Sequence, residues 1–150
     1  MASTFTSMNI HFVFSTKNRE KLIVEKIRSR LWQYMGGIAR QNKLVSHAIG
    51  GIDDHIHLLI SIPASMSPSK AIQLMKGGSS KWVNEEFPDL GKFSWQQGYS
   101  AFSVSPSRMT KTIDYINNQQ AHHRLISFKQ EYIDFLIKTG IPYDEKYVLG

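Results

Sequence analysis

The sequence predicts an α+β protein with a ferredoxin-like (RRM-like) antiparallel sheet, helices packed on it, and further helices at the C-terminus. Three observations carry that. Strand-like and helix-like stretches follow one another as β-α-β-β-α-β-(β)-α-α, close to the split βαβ pattern of ferredoxin-like folds. Two helices open on a Ser-Pro pair, where serine caps and proline takes the first helical position. The 150 residues, 41% hydrophobic and 20% charged, suit one domain spanning 1–150 with a core of its own.

Residues 8–16, Met-Asn-Ile-His-Phe-Val-Phe-Ser-Thr, are aromatic and β-branched and predict the first strand. From Glu20 to about Gln41, Leu22, Ile23, Ile27, Leu31, Tyr34, Met35 and Ile38 recur at helical spacing. Residues 44–50 and 55–62 predict a strand pair joined through Gly50-Gly51-Ile52-Asp53-Asp54. Ser67-Pro68 opens a helix with Ile72, Met75, Ser79, Trp82 and Val83 on its inner face and Pro88 just past its end. Residues 92–105 hold more aromatic strand material, broken at Gly98. Ser105-Pro106 opens a helix that carries Tyr115 and Gln119, and a last helix covers about 128–138 and stops at Gly140.

Composition excludes several classes. There is no cysteine, so disulfides and thiolate metal sites are out, which fits a cytoplasmic protein. No apolar run approaches the eighteen or so residues that span a bilayer, and the N-terminus lacks signal-peptide character, so no membrane role is expected. The formal charge of +6 is uneven: residues 1–50 hold eight Lys/Arg against two Asp/Glu, and residues 51–150 hold ten of each. Lys17, Arg19, Lys21, Lys26, Arg28, Arg30, Arg40 and Lys43 make up the excess. Such a tract is the footprint expected for a phosphate backbone, and equally that of a solvated helix face.

The chemistry concentrates in two fragments. In His55-Ile-His57, strand alternation sends both imidazoles to the same side, roughly 7 Å apart along the backbone. Ile56, Leu58, Ile60 and Ile62 face the core, which leaves His55 and His57 on the other, polar face with Leu59 and Ser61. Imidazole is a common ligand for transition metals and is tolerable for Mn²⁺, whereas Mg²⁺ prefers oxygen. In Tyr115-Ile-Asn-Asn-Gln119, residues four apart share a helix face, so a phenol and an amide project together. Taken alone, that pair also suits a half-buried tyrosine beside a surface glutamine. A free phenol has a pKa of about 10 and needs help to act as a nucleophile. A divalent cation on His55, His57 and the Gln119 carbonyl would give that help at a phosphodiester. His122 and His123 are further candidate ligands or proton carriers, or plain surface. Asp53 and Asp54 either orient a histidine or simply turn the hairpin.

Several blocks, in order, resemble the HUH-type single-tyrosine transposases of small bacterial insertion sequences (IS200-like transposases and repeat-associated tyrosine transposases). They are His11-Phe-Val-Phe-Ser-Thr-Lys-Asn-Arg19, Asp54-His-Ile-His-Leu-Leu-Ile60, Phe93-Ser-Trp-Gln-Gln-Gly-Tyr-Ser-Ala-Phe-Ser-Val104, Tyr115-Ile-Asn-Asn-Gln-Gln-Ala-His-His123, Phe128-Lys-Gln-Glu-Tyr-Ile-Asp-Phe-Leu136 and Tyr143-Asp-Glu-Lys-Tyr147. The likeness covers nearly the whole chain, and the two histidines, the tyrosine and the glutamine are all in place.

The resemblance implies that Tyr115 attacks a phosphodiester in single-stranded DNA, leaving a 5′-phosphotyrosine link and a free 3′-hydroxyl. A second 3′-hydroxyl then reverses the step on another strand. It implies Mg²⁺ or Mn²⁺ held by His55, His57 and Gln119. It also implies substrates with hairpin ends, and a homodimer in which histidines of one subunit meet the tyrosine helix of the other. Lys17, Arg19, Lys21, Arg28 and Arg30 would contact the DNA backbone. Trp32, Trp82 and Trp95 are expected in the core or an interface. Two rivals stand beside this: a domesticated repeat-associated enzyme with the same chemistry, and a non-catalytic module that binds single-stranded nucleic acid.

Overall fold

The computed structural model describes residues 3–149. Among these, strands β1 (Asn9–Ser15), β2 (Val45–Gly51), β3 (His55–Ser61) and β4 (Ser100–Ser103) form one sheet in the order β2-β3-β1-β4. Every neighbour is antiparallel. Helix α1 (Glu25–Gln41) links β1 to β2, and α2 (Pro68–Glu86) lies between β3 and β4. This is the ferredoxin-like arrangement the sequence predicts. Helices α3 (Met109–Asn117), α4 (Gln119–His122) and α5 (Phe128–Lys138) follow. No described helix is long and apolar enough to cross a membrane.

Strand alternation divides the interior into two layers. Phe12, Phe14, Ile56, Leu58 and Ile60 point to one side, where Ile27, Leu31 and Met35 of α1 and Ile72 and Met75 of α2 cover them. Val13, Ala48, Leu59 and Phe102 point to the other side. There α3 supplies Ile116, and α5 supplies Phe128, Tyr132 and Leu136. The face of β3 that carries the histidines is therefore roofed by the C-terminal helices, and His55 and His57 are fully buried. This departs from the polar face expected from Ser61 and the imidazoles. Leu59 on that face, and the apolar stripes of α3 and α5, draw the helices down onto it. Burying Phe128, Tyr132 and Leu136 is worth roughly 5–9 kcal/mol at 1.5–3 kcal/mol each, enough to hold a charged neighbour under the same roof.

Three local departures have identifiable causes. Helix α1 starts at Glu25 and not Glu20. Before it, Asn18 and Arg19 take left-handed φ values of 58° and 57°, and the Ile23 amide donates to the Asp53 carbonyl (2.9 Å) in the β2–β3 loop. The aromatic stretch 92–105 yields one strand, β4, plus an isolated bridge between Thr16 and Trp95. Asn84 takes up both backbone groups of Phe93, at 2.7 and 3.0 Å, so no ladder forms there. The helix opened by Ser105-Pro106 begins as a 3-10 turn and breaks at Asn118 into α3 and α4.

Candidate metal and nucleophile site

Helix α3 rests on β2 at closest range over Gly50. A methyl group there would run into the Ile116 carbonyl oxygen, so glycine sets the height of the helix above the sheet. From that seat, Tyr115 reaches toward β1 and β3. Its ring lies edge-on to His57, with centroids 5.6 Å apart, and to His11 at 6.5 Å. One turn later Gln119 is 1% exposed. The Nε2 atoms of His55 and His123 each stand 2.9 Å from its carbonyl oxygen. The helix break at Asn118 lets α4 turn His123 inward, where its Nδ1–H donates to the Ile126 carbonyl (2.8 Å). Within one chain, then, His55, His57, Tyr115 and Gln119 meet.

The centre of the cluster is Glu131 of α5, 2% exposed. One carboxylate oxygen, Oε1, accepts from His57 Nε2 (3.0 Å) and lies 3.3 Å from His123 Nε2 and 3.5 Å from His55 Nε2. The other, Oε2, accepts from the Tyr115 hydroxyl and lies 3.1 Å from His122 Nε2. One carboxylate therefore joins the imidazoles to the phenol. Phe128, stacked on His55 at 4.1 Å, and Phe135, edge-on to His11 at 5.2 Å, pack α5 in register so that Glu131 arrives there.

The outer hydrogen bonds fix which way each ring faces. His55 Nδ1–H donates to Asp54 Oδ1 (2.8 Å). Its Nε2 then stands 2.9 Å from Gln119 Oε1 and 3.5 Å from Glu131 Oε1, an arrangement in which all three atoms can turn lone pairs toward a shared cation. His57 gives its Nε2–H to Glu131, so its Nδ1 accepts from His11 Nε2–H at 2.8 Å. Ligand atoms of His55, His57, His123 and Glu131 all lie within 4.8 Å of one another. Convergent, buried, carboxylate-backed imidazoles fit a divalent metal.

Burial dominates the electrostatics. It pushes His57 down from 6.5 to about 4, against the pull of Glu131, and with the neighbouring His57 it pushes His11 down to about 3. Burial also works to neutralise Glu131, but hydrogen bonds from His123, His57 and Tyr115 outweigh it and hold the carboxyl well below the usual range. His123 is raised, because the Glu131 hydrogen bond and charge overcome its burial. Burial and the Glu131 charge together push the Tyr115 phenol well above its ordinary value. As it stands, then, the phenol is held protonated.

The other predicted residues lie elsewhere. Arg28 and Arg30 belong to α1, on the opposite side of the sheet from the cluster. Arg28 donates to the Ile23 carbonyl (3.3 Å), and Arg30 pairs with Glu86 (2.9 Å) over the Trp82 and Phe87 rings. Lys17, Arg19 and Lys21 are exposed in the segment between β1 and α1. Trp95 is in the core, with Trp82 and Trp32 packed against it. Asp54 orients His55, while Asp53 uses its backbone carbonyl as a helix anchor. Neither Glu131 nor His11 was assigned a role of its own from sequence. A signal for Glu131 was present, since it stands in the middle of the apolar stripe Phe128, Tyr132, Phe135 and Leu136, where a charge needs a partner. His11 carried the same mark, a histidine within an apolar strand.

Comparison with known proteins bears on this arrangement. The family model described as "Transposase IS200 like" matches residues 4–119. The transposase for insertion sequence element IS200 of Salmonella typhimurium strain LT2 is 30% identical over 125 residues, covering 79% of this chain and 81% of its own length. A solved chain from Deinococcus radiodurans R1 shares the fold with a TM-score of 0.64 at 24% identity, covering 79% of this chain and 95% of its own. A REP-associated tyrosine transposase bound to a REP hairpin shares it with a TM-score of 0.61 at 14% identity, covering 84% of this chain and 74% of its own. With the matched span holding β1–β4, both strand histidines, Tyr115 and Gln119, this chain belongs to the IS200-like transposase family.

Proposed function

We propose that this transposase cuts and rejoins single-stranded DNA through Tyr115, at a divalent-metal site formed by His55, His57, His123 and Glu131 with the Gln119 carbonyl. The observation that carries the reading is the bridging carboxylate of Glu131, which ties the phenol to the imidazole cluster within one chain. Three imidazoles and one carboxylate suit Mn²⁺ better than Mg²⁺, which takes oxygen ligands. Bound there, the ion supplies Lewis-acid stabilisation of charge on the scissile phosphate.

The residues do the rest. Tyr115 Oη attacks phosphorus, the bond from phosphorus to the 3′ oxygen breaks, and that oxygen leaves as a hydroxyl, so the one proton that Tyr115 gives up balances the one that the leaving oxygen takes. The phenolic proton must leave Tyr115, and His122 Nε2, 3.3 Å from the phenol oxygen, is placed to take it. Glu131 is a poor base while its charge is stabilised by His123 and His57, so its part is to position the phenol. One phosphodiester is exchanged for another, so a 3′-hydroxyl can reverse the step without ATP. Substrates with hairpin ends fit this reading, since the related REP-associated transposase is seen with a REP hairpin. The exposed tract Lys17, Arg19 and Lys21 supplies backbone contacts for such a stem, while Arg28 is half-buried and donates to the Ile23 carbonyl and Arg30 is already paired with Glu86. A homodimer fits as well, each protomer carrying a complete site.

The test is covalent capture. Wild-type protein incubated with Mn²⁺ and a single strand from the DNA flanking the gene is expected to give an adduct that survives denaturation, and Tyr115→Phe is expected to give none. An adduct that persists in Tyr115→Phe would assign the nucleophile elsewhere. Binding without any adduct would favour the non-catalytic module.

A further inference from the structure

Beside the phenol, α3 and α5 leave a cleft of about 380 Å³. Tyr115, His11, His122 and Glu131 line its inner end, and Arg108, Lys111 and Lys138 line its mouth. Arg108, at the N-cap of α3, is followed at spacings of three and four by Lys111 and Tyr115 on the helix, and all three line the cleft. On α5, Glu131, Phe135 and Lys138 do the same from the opposite wall. Cations thus stand on both sides of a path that ends at the nucleophile.

These cations are uncommitted. Among the described residues, none of Arg108, Lys111 and Lys138 is in an ion pair, and all three are exposed. Of the two carboxylates in the cleft, Glu131 is held by the imidazoles and the phenol, and Asp134 accepts from Gln130 Nε2 (2.7 Å) and keeps its charge, so three cations face two anions and the lining is net basic. Phe135 and Ile126 add apolar wall. A basic channel with apolar and aromatic lining is what unpaired nucleic acid uses, the phosphates meeting cations and the bases meeting rings. The volume is that of a small-ligand pocket.

We infer that the α3–α5 cleft seats the single strand next to the scissile bond, with Arg108, Lys111 and Lys138 as its phosphate contacts. This rests on the reading of Tyr115 as nucleophile. It leaves Lys17, Arg19 and Lys21, which lie outside the cleft lining, to the hairpin stem, so strand and stem are held by separate basic residues.

The test compares two triple variants in the Tyr115→Phe background: Arg108→Ala/Lys111→Ala/Lys138→Ala at the cleft, and Lys70→Ala/Lys81→Ala/Lys92→Ala, exposed lysines away from it, with the same loss of charge. Each is titrated with a fluorescein-labelled oligothymidylate of about twelve nucleotides at several salt concentrations, read by anisotropy. At about 0.7 per phosphate contact, the cleft variant is expected to lower the slope of log K against log salt by about 2, and the control by far less. Equal losses in the two variants would overturn the proposal. With Tyr115 restored, the cleft variant is expected to form adduct at least tenfold more slowly at low DNA, with the difference shrinking as DNA saturates. Adduct formation at the wild-type rate would remove the cleft and leave the tyrosine reading standing. No adduct from the wild-type protein would remove both.

Discussion

Acidifying the metal-free protein is expected to destabilise it in a window set by His57. In the unfolded chain its imidazole titrates at 6.5, and in the folded protein at about 4, because the ring is buried. Below pH 6.5 the unfolded chain takes up a proton that the folded protein refuses, so stability falls as pH drops and levels off below about 4. The gap between 6.5 and about 4, at 1.36 kcal/mol per unit, is roughly 3 kcal/mol. His11 acts in the same direction over a window reaching about 3, and since the two rings share a hydrogen bond they titrate as a pair. Two groups act otherwise. His123, raised on folding, contributes stability that is complete below 6.5 and is lost as pH rises through its folded value. Glu131, lowered on folding, contributes stability present above 4.5 that is lost below it. Between 4.5 and 6.5 the slope therefore belongs to His57 and His11. Urea melts in chelator across that range, followed by tryptophan fluorescence, measure it. Over those two pH units each ring contributes up to about 2.7 kcal/mol at 1.36 kcal/mol per unit, a large part of the 5–15 kcal/mol that holds a typical domain together. Stability that stays flat from neutrality to pH 4.5 would show that His57 is not a buried neutral imidazole and would refute the reasoning.

Three further outcomes follow from the same geometry. Gly50→Ala is expected to lose about 1–3 kcal/mol and to slow adduct formation, because its methyl group lifts α3 and Tyr115 from the sheet; an unchanged chemical melt would mean that α3 does not rest on β2 there. Glu131→Gln is expected to weaken Mn²⁺ binding by tenfold or more in calorimetry, and an unchanged affinity would remove Glu131 from the ligand set. Mn²⁺ at a hundredfold excess over its Kd is expected to stabilise the protein by about 2.7 kcal/mol, an effect that His55→Ala abolishes; equal stabilisation of that variant would place the ion elsewhere.

The sheet was legible because β1 is rich in aromatic and β-branched residues, Ile56, Leu58 and Ile60 recur on every second position of β3, and both Ser-Pro pairs mark helix starts. The pairing of Tyr115 with Gln119 was legible because helical spacing is local. What escaped was long-range. Nothing near Glu131 in sequence says that its helix returns over β3, a contact that spans some seventy residues. His11 reaches His57 only through the antiparallel register that sets Val13 opposite His57. The strand lost at Phe93 went to a side chain, Asn84, whose competition for backbone groups no alternation pattern reveals.

Assembly of the phenol and the imidazoles on a single chain is tested most directly by mixing two inactive variants, His57→Ala and Tyr115→Phe, and assaying for adduct. A site built within one chain predicts that the mixture stays as inactive as either variant alone. Recovery of adduct in the mixture, on the Tyr115 of the His57→Ala chain, would contradict it and give the tyrosine helix to a neighbouring protomer.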